Sequence, residues 1–327
     1  MKLKFLMVLL GIVLLVLIIY FSGVEATIRT ILNSNPNFIL LALFFFAVET
    51  FFKSLRWKKF LESIDAKIPF SHAFYSFNSA MFLGNIVPFK ALEPVRGAFL
   101  KLKFKFSFSK SVSLVLTERA LDVFFYIGLS LITLQAIREF LPSYITFFSF
   151  IGMLLFFFIS LVVLLILNSR KLTLKFFKFL SKFPIINRFE KKIEKIAKNF
   201  SQGFTQLKKS KNVLPIFILT FLIWSCECAI FLACAKAVGI DLPIPFFAIP
   251  LLSILLGVLT LIPGGLGSIE AIIILILTSL GFPTPQATAA TLIYRFITHL
   301  MESSIGAIAI SQVYGIDIAK KLMKKIV

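Results

Sequence analysis

Acidic residues, histidine and cysteine are scarce in this 327-residue sequence: 15 aspartates and glutamates stand against 35 lysines and arginines, with two histidines and three cysteines. Cys226, Cys228 and Cys234 share one apolar segment, Leu214–Ala235, and point in different directions on a helix. No histidine cluster accompanies them. They read as small buried hydrophobes, not as metal ligands or disulfide partners. Short alternating strands are absent, which argues against a membrane β-barrel. No nucleotide-binding motif occurs, and no nucleophile–base set or metal-ligand cluster supports catalysis. Charged residues make up only 15% of the chain, too few for one or two soluble domains.

What is present is apolar sequence, 59% hydrophobic with 41 phenylalanines. A helix rising about 1.5 Å per residue needs about 20 apolar residues to cross the hydrocarbon. Full spans are expected at 5–21, 38–60, 111–134, 144–167, 214–235 and 287–311, and three apolar pieces, 71–87, 246–262 and 269–280, are too short or broken. The N-terminal run has features of a signal peptide, but its apolar core from Phe5 to Phe21 is long for one, so it reads as a retained first helix.

The net charge of +20 does not point to nucleic acid, because most of it flanks apolar segments. It reads as positive-inside topology and attraction to an anionic leaflet. Lys2 and Lys4, Lys53–Lys67, Lys101–Lys110, the stretch Arg170–Lys211 and Lys320–Lys325 carry most of the basic residues. These segments, and both termini, are therefore expected on the cytoplasmic side of the cell membrane. The segment between Lys67 and Lys101 must then enter and leave by one face. It is expected to form a cytoplasmic hairpin over 71–100, turning near Pro88. A second hairpin, 246–280, enters from the exterior and turns at Pro263, Gly264, Gly265 and Gly267. Proline ends a half-helix there and glycine allows the tight turn.

The expected fold is therefore an all-α polytopic membrane protein, with about six full spans plus two re-entrant helical hairpins in an inverted-topology repeat. The whole chain, 1–327, forms a single membrane domain. Residues 5–167 and 214–311 are its halves, 169–212 a basic amphipathic cytoplasmic linker, and 312–327 a basic tail. The linker either lies on the anionic inner leaflet or packs on itself as a helical hairpin.

Ionisable residues at membrane depth cost about 2.5–3.5 kcal/mol each on insertion scales and default to a functional reading. Lys90, Glu93 and Arg96 lie on the first hairpin; Glu118, Arg119 and Asp122 on the next span. Glu270 lies on the second hairpin; Arg295, His299 and Glu302, spaced 4 and 3, share one face of the following span. Pairing of Glu93 with Arg119, and of Glu270 with Arg295, would lock the hairpins; the arginines and half-helix N-termini would also receive an anionic group such as a phosphate. Either Glu270 or Ser268 is placed to cap the half-helix after the turn. Glu49 reads as snorkelling and Glu227 as a deeper member of the polar centre.

PGGLGSIEA (263–271) followed by YR (294–295), ERALD (118–122) and NIVPFKALEPVR (85–96) resemble, in order and spacing, the lysylphosphatidylglycerol synthase transmembrane family of flippase-like proteins. Leu92 stands where that family usually has glycine. The resemblance implies a membrane domain that moves a phospholipid between leaflets. The chain ends about a dozen residues past its last expected span, so aminoacyl transfer is not carried over. The expected function is translocation of a lipid with an anionic headgroup, without cofactor or metal, either passive or coupled to an ion gradient through Glu118, Asp122, Glu270 or His299. The alternative is a structural or regulatory membrane partner of a separate enzyme, with an intramembrane transferase ranked behind it.

Overall fold

Asn35 caps the helix Pro36–Glu62. Its Oδ1 accepts the Asn37 amide at 3.0 Å, and Pro36 fills the first turn, where its missing N–H costs nothing. In the computed structural model, which describes residues 2–85, 93–104, 106, 108–169, 171–172, 174–175, 204–260 and 262–314, every regular element among those residues is helical. The helices are α1 (Lys2–Phe21), α2 (Val24–Leu32), α3 (Pro36–Glu62), α4 (Phe70–Gly84), α5 (Arg96–Lys103), α6 (Phe108–Ile137) and α7 (Ser143–Asn168). They continue as α8 (Val213–Ala237), α9 (Ile249–Val258), α10 (Ser268–Ser279), α11 (Thr284–Arg295) and α12 (Glu302–Ala309).

Among the described residues, four helices are long and apolar enough to cross a membrane: α3, α6, α8 and α7 over Ser143–Ile166. A fifth arises if α1 and α2 count as one span, although they meet at 86°. The chain is thus a helical membrane protein. The exposed side chains of α7 include Phe147, Phe148, Phe150 and Phe158, a surface suited to lipid.

The expected span 287–311 is not one regular helix. α11 runs into a π-helical turn, Phe296–Met301, then α12, then a second π turn, Ile310–Tyr314. Such turns insert a residue into the helical ladder and gather at functional sites. The first one lies where Arg295, His299 and Glu302 must all be aimed inward.

α3 and α8 share the most extensive helix pairing, and the other elements assemble around them. α4 packs on α3 and α12, and α9 packs on α10 and α6. One apolar core joins α8, α9, α10 and α11; a second surrounds Trp57, Phe60, Phe77 and Leu114 at the opposite end of α3. α1 packs on α10 and on the glycine turn. There Gly264, Gly265 and Gly267 adopt φ of 64°, 63° and 81°. A Cβ on Gly267 would stand 2.7 Å from the Gly11 carbonyl oxygen, and one on Gly11 would stand 2.9 Å from that of Leu266. Glycine is required here twice over, by conformation and by backbone-to-backbone contact.

Two sequence readings are corrected. Lys53 and Arg56 were counted with the cytoplasmic flanking charges, yet both are buried in the bundle. α3 continues to Glu62, which leaves them well inside the helix, where carboxylates from other helices meet them. Glu270 does not cap α10: Gly267 precedes that helix with no side-chain cap bond, and the Ser268 hydroxyl donates to the Gly265 carbonyl at 3.1 Å. Pro88 and Lys90, most of the basic linker and the tail from 315 onward lie outside the described residues.

Candidate functional site: a cavity bordered by buried charges

Glu49, Lys53 and Arg56 are spaced 4 and 3 on α3, so one face of an otherwise apolar helix carries three ionisable groups. Around that face the structure gathers three charge groupings.

The first joins α3, α5 and α6. Arg56 reaches Asp122 at 2.6 Å and Glu118 at 2.9 Å; Arg96 reaches Glu118 at 2.8 Å and Glu93 at 3.2 Å. Arg119 contacts Glu93 at 3.1 Å, Glu118 at 2.9 Å and Asp122 at 3.3 Å. Three guanidinium groups thus meet three carboxylates. Trp224 Nε1–H donates to Asp122 at 2.9 Å, and the Arg96 guanidinium lies 4.6 Å from the Trp57 ring centre. The forked geometry of arginine suits such many-sided pairing. Of the six, Arg119 alone is substantially exposed, its side chain 28% accessible.

The second grouping is smaller. Arg295 Nε donates to Glu270 at 2.6 Å, and its Nη2 donates to the Gly264 carbonyl at 2.9 Å. The His299 ring rests on Gly264, where a Cβ would come within 2.8 Å of it. Arginine therefore ties the turn, α10 and α11 together.

The third grouping holds Lys53 between Glu302 at 3.0 Å and Glu49 at 3.1 Å. Beside it the Tyr294 hydroxyl donates to Glu227.

All three groupings border one cavity of about 260 Å³. Its lining includes Lys53, Asn85, Arg119, Asp122, Tyr126, Trp224, Glu227, Gly264, Gly265, Arg295, Thr298, His299 and Glu302. Sites for drug-sized ligands run to roughly 300–1,000 Å³. This one is on the scale of a polar headgroup and excludes a whole phospholipid. A larger groove, lined by Gly23, Glu25, Arg29, Asn35 and Lys236, lies apart from the buried charges and holds none of them.

Of the residues singled out in the sequence, Arg119, Asp122, Arg295, His299 and Glu302 come together on the cavity wall. Glu93, Arg96, Glu118 and Glu270 stand behind it, buried and bonded to the arginines. Glu49 does not snorkel: it is fully buried. Glu227 reaches the polar centre. Sequence reasoning missed Lys53, Arg56, Tyr126 and Trp224. The 49/53/56 spacing was the available signal, and it was masked by reading the basic pair as a flank.

A sequence model of the family described as "Lysylphosphatidylglycerol synthase TM region" matches residues 8–306. A UPF0104 membrane protein of Methanothermobacter thermautotrophicus is 26% identical, with 98% of each chain covered. One from Methanocaldococcus jannaschii is 25% identical over 89% of each chain. A second protein of that name from the same organism is 32% identical over 70% of this chain and 92% of its own.

Proposed function

The chain belongs to the lysylphosphatidylglycerol synthase transmembrane family, and from that premise we propose that it is a phospholipid translocase for lipids with an anionic headgroup. The observation that carries this reading is the headgroup-sized cavity whose lining includes Arg119 and Arg295, one from each half of the chain. A phosphate entering it would be received by guanidinium groups already oriented by Glu93 and Glu270, with little reorganisation. The acyl chains stay in lipid. Glu93, Arg96, Glu118 and Glu270 hold the receiving groups in place, and Asp122, His299 and Glu302 complete the path.

The reading includes two re-entrant hairpins in an inverted repeat, with six spans in all and cytoplasmic termini in the cell membrane. Cross-packing of the halves supports it. Asn85, at the end of α4, donates to Ser303 on α12 at 3.0 Å. Thr133 on α6 receives the amide of Ala248, just before α9, at 3.1 Å. Each of these hairpin elements thus packs on the span that follows the other hairpin, which fits an inverted repeat. The basic linker contributes attraction to the anionic inner leaflet.

The test is leaflet exchange in proteoliposomes. Purified wild type and Arg295→Gln, matched for helicity and monodispersity, are given fluorescent anionic and zwitterionic phospholipids. Exchange of the anionic lipid above empty vesicles, reduced at least about tenfold in the variant (roughly 1.4 kcal/mol of lost contact), is expected. Unchanged exchange in Arg295→Gln overturns the headgroup path.

A further inference from the structure

Helix α2, VEATIRTIL, leaves an apolar stripe uncovered among the described residues. Val24, Ile28 and Leu32 are spaced by four, which aligns them on one side of a helix, and all three are exposed. At roughly 100° per residue the order around α2 is the pair Thr27 and Ile31, then this stripe, then Glu25 and Arg29. Thr27 is buried and Ile31 packs on the apolar core, so that side faces the bundle, where α2 lies on α11. Glu25 and Arg29 are exposed and bond to each other at 2.7 Å. The stripe therefore separates the bundle from a charged, self-neutralised edge. Contiguous exposed apolar side chains mark a surface that meets something other than water.

The neighbours of α2 fix its level in the bundle. α3 begins at Pro36 and α8 ends at Ala237, and the Asn35 amide joins the two ends by donating to the Ala237 carbonyl at 2.8 Å. Both helices are long and apolar enough to span, so these ends mark one boundary of the hydrocarbon. α2 borders the same open groove as Asn35 and Ala237. Just before α2, Ser22 accepts the Thr288 hydroxyl at 2.8 Å, close to the start of α11. α1 runs from the glycine turn, at Gly11, to this boundary. The chain then turns at Gly23, φ 85°, and α2 leaves at 86° to α1. A helix at that angle to one running through the bundle lies close to the membrane plane. Tyr20 and Phe21, which close α1, are exposed as well, so apolar surface continues from α1 into the stripe. Tyrosine is enriched at the membrane–water interface.

We propose that α2 is an in-plane interfacial helix: Val24, Ile28 and Leu32 are buried in lipid where headgroups meet acyl chains, and Glu25 and Arg29 lie in the headgroup layer. The occupant of the stripe is the bilayer. Its surface continues the exposed apolar side of α1, and three side chains offer far less than the about 800 Å² per partner of a stable protein interface. Because Glu25 and Arg29 cancel, the docking is apolar and independent of lipid charge. It also sets the groove lined by Arg29, Asn35, Lys236 and Gln286 at headgroup level. The inference rests on the chain being a helical membrane protein and not on the translocase reading.

The experiment is a nitroxide scan of the full chain in phosphatidylcholine vesicles. The buried Cys226, Cys228 and Cys234 are replaced by alanine, with helicity matched to wild type. Spin labels are then placed singly at Val24→Cys, Glu25→Cys, Ile28→Cys, Arg29→Cys and Leu32→Cys. Collision with oxygen, which concentrates in lipid, is compared with collision with a water-soluble nickel chelate. Labels at positions 24, 28 and 32 are expected to favour oxygen at one common depth, and those at 25 and 29 to favour nickel. A helix crossing the membrane would separate positions 24 and 32 by about 12 Å of depth, at about 1.5 Å per residue; a gradient of that size overturns the proposal. Nickel access at every site also overturns it, by placing α2 in water. So does shielding of the stripe from both reagents, which assigns the face to protein, a second copy included. A second measurement keeps the native cysteines. Ile28→Trp adds emission beside that of the buried Trp57 and Trp224. Lipids brominated near the headgroup are expected to quench the added emission more than lipids brominated near the chain end. Equal or reversed quenching overturns the proposal. Adding phosphatidylglycerol is expected to leave both readouts unchanged, and docking that appears only with it overturns the apolar mode.

Discussion

The two halves of the chain solve the same problem at different strengths. Each has a hairpin glutamate bonded to an arginine on the following span, Glu93 to Arg119 and Glu270 to Arg295. In the first half that pair is embedded in an interlocked set of three arginines and three carboxylates drawn from α3, α5 and α6, with Glu93 on the turn that leads into α5. In the second half it stands almost alone, with the Gly264 carbonyl as its other partner. A network in which each arginine serves at least two carboxylates holds its geometry when one contact opens. A single pair does not. On the proposed function, the first-half pair is the fixed wall and the second-half pair the side that yields when an anion competes for Arg295.

The largest way to break this comparison is Arg56→Met. Removing that guanidinium strips Asp122 and Glu118 of their α3 partner in a buried site. Breaking a buried pair costs about 3–5 kcal/mol, a large share of the stability of any domain. The expected outcome is a steep drop in thermal midpoint or loss of monodisperse protein. No single compensating Glu118→Gln or Asp122→Asn restores it, since two acids lose a partner at once, each keeping only the contacts it has with Arg96, Arg119 or Trp224. A midpoint within a few degrees of wild type would show the first-half network to be no firmer than the second.

The next prediction concerns the turn that carries Gly264. Gly267 and Gly281 both have positive φ, 81° and 91°, but a Cβ on Gly281 meets open space while one on Gly267 meets the α1 backbone at 2.7 Å. Gly281→Ala bears only the left-handed conformation, about 1–2 kcal/mol. Gly267→Ala adds overpacking of about 1–3 kcal/mol. Thermal midpoints of the two variants measure the difference directly. Equal losses would mean that α1 does not brace the turn, and the second-half hairpin would then be looser still.

Much of this arrangement was legible before any coordinates. The helical membrane class followed from apolar run lengths. The Glu93–Arg119 and Glu270–Arg295 pairings followed from the repeated order of hairpin acid and next-span base, because a buried carboxylate needs a nearby cation. The glycine turn was visible in PGGLGS, where no membrane helix can continue. What was not legible depended on distant partners. Lys53 is a cavity residue only because Glu302, 249 residues away, meets it. By itself a lysine near the end of an apolar helix looks the same as a flanking charge. Trp224 reads as core until Asp122, across 102 residues, accepts its indole N–H. The π turn at Phe296–Met301 likewise has no local breaker to announce it, since FITHLM contains neither proline nor glycine.

The smallest effect on stability, and the sharpest for the comparison, belongs to a double-mutant cycle on the second-half pair. Arg295→Gln leaves the Glu270 carboxylate buried with one fewer donor, which costs about 1–3 kcal/mol. Its side chain is 12% exposed toward the cavity, so water softens the loss. Adding Glu270→Gln removes the orphaned charge. Because Glu270 has no other basic partner among the described residues, most of the stability should return. The coupling between the two substitutions should then be about 0.5–3 kcal/mol, the range for residues in direct contact. Lipid exchange should not return with it, since the rescued chain still lacks the guanidinium proposed to meet the headgroup. Recovery of both stability and exchange would reduce the pair to a brace like the first-half network. Recovery of stability alone separates the two halves by role, one holding the cavity open and the other meeting what enters it.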